Sequence, residues 1–213
     1  MTRPTFGESE ALLVIDLQRD FLPGGALAVG GGDQIVGPIA ALARRFTTVV
    51  ATQDFHPPGH VSFASAHPGA ARFQTIALDA AGREQALWPD HCVAGTRGAH
   101  LSPDLPDDAL SLILRKGTRR DVDSYSAFRE DRDDRGARRT TGLGAWLHAR
   151  GISSIHVVGL ARDYCVRASA IDGVAEGFDV VVIDSLTRAV WPERRNETDL
   201  ALERAGVRRR LLP

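Results

Sequence analysis

Five short apolar runs recur along the chain, each bounded by turn-forming residues, and they are the first indication of how it folds. The runs are rich in valine, isoleucine and leucine and hardly alternate with polar residues, which is typical of strands buried on both faces of a parallel sheet. We therefore predict β-strands at residues 11–16, 47–52, 111–116, 154–160 and 178–184.

Helical periodicity appears between several of these runs. Residues 33–46 place apolar side chains on one stripe, as an amphipathic helix requires, at Ile35, Val36, Ile39, Leu42 and Ala43. Helices are also predicted at 140–150 and 163–176, and 193–205 fits the period less well. The alternation of strands and helices predicts an α/β fold, a three-layer doubly wound, mostly parallel sheet. We expect a single domain over residues 1–213, because this length suits one well-buried core.

Two long segments break the regular pattern. Residues 54–89 are rich in His, Pro and Gly, and residues 117–139 are highly charged. Long irregular segments in a compact domain are usually either functional or disordered. Both begin directly after a predicted strand, and sites in open α/β sheets lie beyond the carboxyl ends of the strands. These two segments are therefore where we expect the functional site.

Composition narrows the function classes. The formal net charge is −1, so no strong field favours nucleic acid or an anionic membrane, and we read the basic run 208–210 as a solvated chain end. Two cysteines, Cys92 and Cys165, cannot build a disulfide framework. Without a secretory apolar segment or a run of membrane-spanning length, we expect a cytoplasmic protein with reduced thiols. A small-molecule substrate is the expected partner, and assembly into a homo-oligomer is left open.

Three reactive residues lie at or just beyond predicted strand ends. Asp16 closes the first strand, Lys116 the third, and Cys165 follows the fourth in the first turn of a helix. In a parallel sheet these ends converge. The helix start and the lysine would favour a thiolate at Cys165, and Asp16 could carry its proton to a leaving amine. Taken singly, each residue could equally be structural; together they predict acyl transfer at an amide.

A second group has the character of metal ligands. Asp54, His56 and His60 lie in DFHPPGH, and His91 lies in WPDHC. One carboxylate and three imidazoles suit one divalent ion, with Zn²⁺ preferred and Fe²⁺ or Mn²⁺ as alternatives. His67 is a rival for the fourth ligand position. The remaining histidines, His100, His148 and His156, are interpreted as structural or surface residues.

Five segments occur in an order that resembles a known family. They are LLVIDLQRDFLPGGALAV, ATQDFHPPGHVSFAS, LWPDHCVAGTRGA, KGTRRDVDSYSAF and VVGLARDYCVRASAIDG. The chain resembles the nicotinamidases and pyrazinamidases of the isochorismatase-like cysteine hydrolases, and the likeness runs from Leu12 to about Gly173.

The resemblance implies roles for particular residues. It places the catalytic triad at Asp16, Lys116 and Cys165, and the metal ligands at the four residues of the second group. It also implies a cis peptide at Leu160–Ala161, with the N–H groups of Ala161 and Cys165 forming an oxyanion hole. The substrate ring would lie in a pocket that includes Phe21, Trp88, Tyr125 and Leu160.

The implied reaction is hydrolysis of nicotinamide to nicotinate and ammonia through a cysteine thioester, in NAD salvage, with pyrazinamide as a second substrate. One alternative is a related cysteine amidohydrolase acting on another small amide; the Asp-x-His ligands argue against it. A second alternative is a catalytically inactive, metal-stabilised binding protein. The intact triad argues against this alternative. A dinucleotide-binding domain is discounted, because no GxGxxG follows the first strand.

One position departs from the family pattern. Relatives often have a small or hydroxylated residue where this chain has Arg162, three positions before Cys165. A long cation there could lie outside the site, or it could alter the pocket rim or the thiol. We expect the next residue, Asp163, to cap the following helix.

Overall fold

The computed structural model describes residues 5–80 and 82–211 of the chain. Its strands are β1 (Glu10–Ile15), β2 (Thr48–Asp54), β3 (Thr75–Ala77), β4 (Glu84–Ala86), β5 (Leu112–Lys116), β6 (Ser154–Leu160), β7 (Asp179–Arg188) and β8 (Arg208–Arg210). Six of them form a sheet in the order β5-β2-β1-β6-β7-β8, in which all neighbours are parallel. Strands β3 and β4 pair as a separate antiparallel hairpin.

Four α-helices cover the sheet: α1 (Asp33–Ala43), α2 (Leu143–His148), α3 (Arg167–Ala175) and α4 (Arg195–Arg204). Alternate side chains of β1 point into two different cores. Leu12 and Val14 pack in the core that contains the apolar stripe of α1, whereas Leu13 packs with buried side chains of the other three helices. Helices therefore lie on both faces of one sheet, and the predicted three-layer α/β fold is confirmed. Within the described residues, no helix is long and apolar enough to cross a bilayer.

The strand order reverses beside the first strand. The chain moves outward from β1 through β2 to β5, and then returns to place β6 on the other side of β1. Such a switch point leaves a crevice at the carboxyl ends of the two central strands. Asp16 follows β1 at this crevice, and the segment that carries Cys165 follows β6.

Several element boundaries differ from the prediction. Strand β2 continues to Asp54, so this residue belongs to the sheet rather than to the irregular segment. The hairpin of β3 and β4 lies inside that segment and was not predicted. The basic run at 208–210 is exposed, as predicted, but its backbone forms β8, which pairs with Val181–Ile183 of β7. Charged side chains are common on edge strands, where they discourage pairing with other chains.

The helix predicted at 163–176 has two parts. A π-helical turn spans Arg162–Val166 and leads directly into α3. Asp163 does not cap this helix, because its carboxylate accepts hydrogen bonds from the backbone N–H groups of Val190 and Trp191 at 3.0 and 2.8 Å. Asp163 therefore links the π-helical turn to the segment after β7, and it does not bond the backbone N–H groups at the start of its own helix.

Candidate active site

The structure brings Asp16, Lys116 and Cys165 into contact in the crevice. Lys116 Nζ lies 2.9 Å from Asp16 Oδ2 and 3.5 Å from Cys165 Sγ. All three residues are buried, with relative exposures of 0%, 2% and 6%. Since they come from the ends of three parallel strands, or just beyond them, the parallel sheet itself produces the convergence that the sequence predicts.

Asp16 is held from one side by the neighbouring strand. Thr52 Oγ1 donates to Asp16 Oδ1 at 2.6 Å and accepts from the Asp16 backbone N–H at 3.0 Å. Asp16 has a positive φ of 46°, which turns the chain out of β1 at this point. Its other oxygen, Oδ2, faces Lys116 without a directed hydrogen bond. That oxygen is therefore the one available to take a proton from the thiol.

Burial controls the protonation states of this pair. It raises the pKa of Asp16 to about 6, with Lys116 opposing the rise and Asp54 adding to it. Burial also raises the pKa of the Cys165 thiol well above its ordinary value, although Lys116 opposes this. Desolvation thus opposes the thiolate that Lys116 and the helix start would favour. At neutral pH the site holds a carboxylate beside a thiol, the combination that general-base activation needs.

Lys116 also contacts the second group. Its ammonium donates to Asp54 Oδ1 at 2.5 Å and to the backbone carbonyl of Ser124 at 2.9 Å. Burial lowers the pKa of Lys116, but Asp16 and Asp54 more than offset this and hold it well above the ordinary value. The lysine is thus a fixed cation between two buried carboxylates.

Asp54, His56 and His91 form a candidate metal centre. Asp54 Oδ2 lies 3.6 Å from His56 Nε2 and 4.0 Å from His91 Nε2, and one ligand atom from each residue falls within 4.8 Å of the others. The Nδ1 atoms of His56 and His91 pair with the backbone carbonyls of Gly117 and Pro89, at 2.9 and 2.8 Å. This pairing leaves both Nε2 lone pairs directed at the shared position, a common arrangement in metal sites. The donor set fits a divalent ion.

His60 lies beside this centre rather than within the same group. Its ring stacks on His56 with centroids 4.2 Å apart, and its Nε2 is 3.2 Å from the carbonyl oxygen of Val122. Its ligand atom falls into a second group, with His56 and Asp123. His67, the rival ligand, pairs through Nε2 with the carbonyl of Val61 and belongs to none of the groups found among residues 5–80 and 82–211.

Aromatic side chains lie beside both groups. The ring of Phe21 lies 5.5 Å from that of His91. Trp88 Nε1 donates to the hydroxyl of Tyr125 at 3.1 Å, and the Trp88 ring meets Tyr164 edge to face at 4.8 Å. At these separations the rings pack against one another and form an aromatic cluster beside the two groups.

The family model described as "Isochorismatase domain" matches residues 10–206. The chain belongs to the isochorismatase domain family. A nicotinamidase of Acinetobacter baylyi is 47% identical over 181 residues, covering 84% of this chain and 81% of that protein.

Solved structures of the isochorismatase domain family extend the likeness to the whole fold. A nicotinamidase and pyrazinamidase of Acinetobacter baumannii superposes with a TM-score of 0.90 at 41% identity, covering 96% of this chain and 97% of that one. A pyrazinamidase of Pyrococcus horikoshii, solved in complex with zinc, has a TM-score of 0.76 at 32% identity and covers 96% and 99% of the two chains. In this chain, Asp54, His56 and His91 form a group that could hold a metal ion.

The predicted oxyanion residues flank most of the π-helical turn: Ala161 precedes it, and Cys165 is its fourth residue. The peptide bond between Leu160 and Ala161 is cis, as the family resemblance implied. Leu160 is fully buried at the end of β6, and Ala161 has the extended conformation that precedes the turn. Cys165 follows four residues later, so both predicted N–H donors belong to one short segment.

Four residues at or next to the site were not predicted from the sequence. Thr52 fixes Asp16, and Asp123 joins the second ligand group. Tyr164 packs on Trp88, and Trp191 Nε1 donates to the Tyr164 hydroxyl at 3.2 Å. Tyr164 could have been suspected, because it directly precedes Cys165. Trp191 gave no signal, since only tertiary packing brings the segment after β7 to this turn.

Proposed function

We propose that this member of the isochorismatase domain family is a nicotinamidase, which hydrolyses nicotinamide to nicotinate and ammonia. One observation carries the proposal: Lys116 contacts both an Asp–Cys pair suited to amide cleavage and an Asp–His–His group suited to a metal. The nicotinamidase relative at 47% identity supports the same substrate.

The metal centre would be formed by Asp54, His56 and His91, with His60 beside it as the fourth predicted ligand. We propose one divalent ion, Zn²⁺ first and Fe²⁺ or Mn²⁺ as alternatives, since carboxylate and imidazole donors suit these borderline ions. When bound, the ion would supply Lewis acidity beside the substrate, and these side chains would hold it there.

Acylation uses the carboxylate–thiol pair. Asp16 takes the proton of Cys165, and the sulfur attacks the amide carbon of nicotinamide. The N–H groups of Ala161 and Cys165 would hold the oxyanion of the tetrahedral intermediate. As the intermediate collapses, the C–N bond breaks and Asp16 returns the proton to the departing ammonia. Lys116 stays charged throughout and stabilises the anions on both sides of it.

Deacylation reverses these roles with water. Asp16 takes a proton from a water molecule, and the resulting oxygen attacks the thioester carbon. The C–S bond breaks, nicotinate is released, and the proton on Asp16 returns to the sulfur of Cys165. A pKa near 6 suits Asp16 to both directions of transfer, because the group is ionised at rest and still holds a proton when needed.

The ring pocket would set the substrate range. Phe21, Trp88, Tyr125 and Leu160 are the residues we propose to enclose the ring, with Tyr164 added by the structure. Pyrazinamide differs from nicotinamide by one ring nitrogen, so the same pocket should accept it, as the name of the Acinetobacter baumannii relative indicates for that protein. The proposed physiological role is nicotinamide salvage toward NAD, and a cytoplasmic setting remains a prediction from the sequence.

Ammonia release from nicotinamide by the metal-loaded protein tests the function. Cys165→Ala should abolish release and retain the metal, whereas Cys92→Ala, which removes the other buried thiol, should stay active. A chelated sample should lose activity and recover it on adding Zn²⁺ or Mn²⁺. No release from folded, metal-loaded wild type would rule out nicotinamide as the substrate, and full activity of Cys165→Ala would overturn the mechanism.

A further inference from the structure

Arg162 is an interior arginine in the same π-helical turn as Cys165. Only 5% of its side chain is exposed, although arginine is rarely buried without anionic partners. The groups that surround it therefore indicate what this buried cation does.

The guanidinium of Arg162 joins the turn to two other elements. Its NH1 donates to Asp184 Oδ1 at 2.7 Å and to Thr187 Oγ1 at 3.0 Å, both on β7. Its NH2 donates to Asp199 Oδ1 at 2.6 Å, on α4. Because the guanidinium is a rigid planar fork, these bonds fix both the position and the orientation of its head.

Two further arginines hold the same carboxylates from outside. Arg209 of β8 lies 2.5 Å from Asp199 Oδ2 and 3.5 Å from Asp184 Oδ2. Arg195 lies 3.4 Å from Asp184 Oδ2 and 3.6 Å from Asp199 Oδ2. Each carboxylate thus gives Oδ1 to Arg162 and Oδ2 to the outer pair. The carboxylates cannot turn away from Arg162 without losing these partners.

The next two residues of the turn are attached to the same part of the chain. Asp163 accepts hydrogen bonds from the N–H groups of Val190 and Trp191, and the Tyr164 hydroxyl accepts one from Trp191 Nε1. Arg162 therefore binds β7 and α4, and the next two residues bind the segment that joins these elements. Arg162 contributes the ion pairs among these attachments.

We propose that Arg162 is a positioning residue, which fixes the turn carrying Cys165 through Asp184 and Asp199 without taking part in substrate binding. Both terminal nitrogens of its guanidinium are directed at this network, and neither candidate ligand group includes a residue of it. The role rests on the proposed function, since it concerns attack by Cys165. Loss of Arg162 would displace Sγ from Lys116 and Asp16 while leaving the ring pocket and metal ligands, which lie mostly on other elements.

The test compares Arg162→Gln and Arg162→Lys with Arg195→Gln. The control removes an arginine from the same carboxylates, but one whose side chain is 58% exposed and lies outside the turn. We expect Arg162→Gln to lower kcat about tenfold or more, because small misplacements of reacting groups are costly, with KM and metal content nearly unchanged. Arg162→Lys should recover part of kcat, since it keeps the charge but not the fork. Arg195→Gln should match wild type.

Alkylation by iodoacetamide gives a readout that needs no substrate. Mass spectrometry of the two cysteine peptides should show faster labelling of Cys165 in Arg162→Gln, by about threefold or more through local opening of the turn. Cys92, which is fully buried elsewhere, should remain protected and reports opening of the whole fold.

Unchanged kcat and unchanged Cys165 labelling would overturn the proposal, as would parallel rises at both cysteines or an equal loss of kcat in Arg195→Gln. If Arg162→Gln does not fold, the same kcat and labelling criteria apply to Arg162→Lys. Wild type that releases no ammonia from nicotinamide would remove the proposed function, while the labelling comparison would still decide the role of Arg162.

Discussion

Lys116 Nζ lies 2.5 Å from Asp54 Oδ1, so the lysine beside the candidate nucleophile is hydrogen-bonded to a candidate metal ligand. Asp54 consequently acts on both groups at once. Its second oxygen faces His56 and His91, while its charge raises the pKa of Cys165. The metal centre and the nucleophile are therefore expected to influence one another.

Asp54→Asn and His91→Ala should both lose the metal, but they should differ in the rate at which Cys165 is alkylated. Asp54→Asn removes a negative charge that raises the pKa of Cys165, so iodoacetamide should label Cys165 faster than in metal-free wild type. We expect roughly threefold to tenfold, since one pKa unit changes the thiolate fraction about tenfold. His91→Ala should lose the metal without this acceleration. Equal labelling in the two variants would show that Asp54 does not reach the thiol.

The rate should fall on the acid side as Asp16 becomes protonated. Burial raises the pKa of Asp16 to about 6, and the Asp54 charge contributes to the rise. Because the base must be ionised, kcat/KM should decrease as pH falls through this region. A bound cation would neutralise the charge of Asp54 and so lower the pKa of Asp16. In the metal-loaded enzyme, the acid-side decrease of kcat/KM should therefore lie at about pH 6 or below. A limb near pH 8 would contradict the assignment.

Thr52→Val should move that acid limb upward. Thr52 donates a 2.6 Å hydrogen bond to Asp16 Oδ1 and so favours the ionised carboxylate. Removing a hydrogen bond to a charged group costs about 1.5 kcal/mol or more, which corresponds to a rise of about one unit in the pKa of Asp16. The pH profile of kcat/KM measures the shift, and Thr52→Ser, which keeps the hydroxyl, is the control. A downward shift would contradict this reading.

Tyr125→Phe should weaken substrate binding more than catalysis. The Tyr125 hydroxyl accepts a hydrogen bond from Trp88 Nε1, which would be left without that partner and free to move in the pocket. An unsatisfied buried donor costs about 1–3 kcal/mol, so KM for nicotinamide should rise several-fold and the melting temperature should fall. Since Tyr125 has no place in the proton path, kcat should change little. A selective loss of kcat would give the hydroxyl a catalytic role.

Gly159→Ala should disrupt the crevice between β1 and β6. Gly159 has φ +108°, and an added Cβ would overlap the carbonyl oxygen of Ile15, just before Asp16. Gly142→Ala is the matched control: its φ is +86°, but an added Cβ meets nothing within 4 Å. Thermal or chemical unfolding should show only the backbone cost, about 1–3 kcal/mol, for Gly142→Ala and a larger loss for Gly159→Ala. Similar losses of unfolding free energy in the two variants would show that the clash with Ile15 is not the cause.

The sequence by itself determined the fold class and brought together the main chemical groups. Unbroken apolar runs require a sheet covered on both faces, and parallel strands place their carboxyl ends at one edge. Asp16 and Lys116 were therefore predictable as neighbours, because each follows or ends such a run. The Asp-x-His spacing likewise predicted two members of the metal centre, since alternate residues of an extended segment share a face.

Tertiary structure decided the features that depend on contacts between distant segments. Burial raises the pKa of the Cys165 thiol, whereas local sequence indicated only the charges that would lower it. The basic run at 208–210 became an edge strand because β7 offered unpaired backbone groups. Arg162 acquired its partners because β7 and α4 pack against the turn that begins with it. Hydrophobic periodicity indicates which face of a helix or strand is buried. Only the packed fold determines which charged residues are buried next to one another.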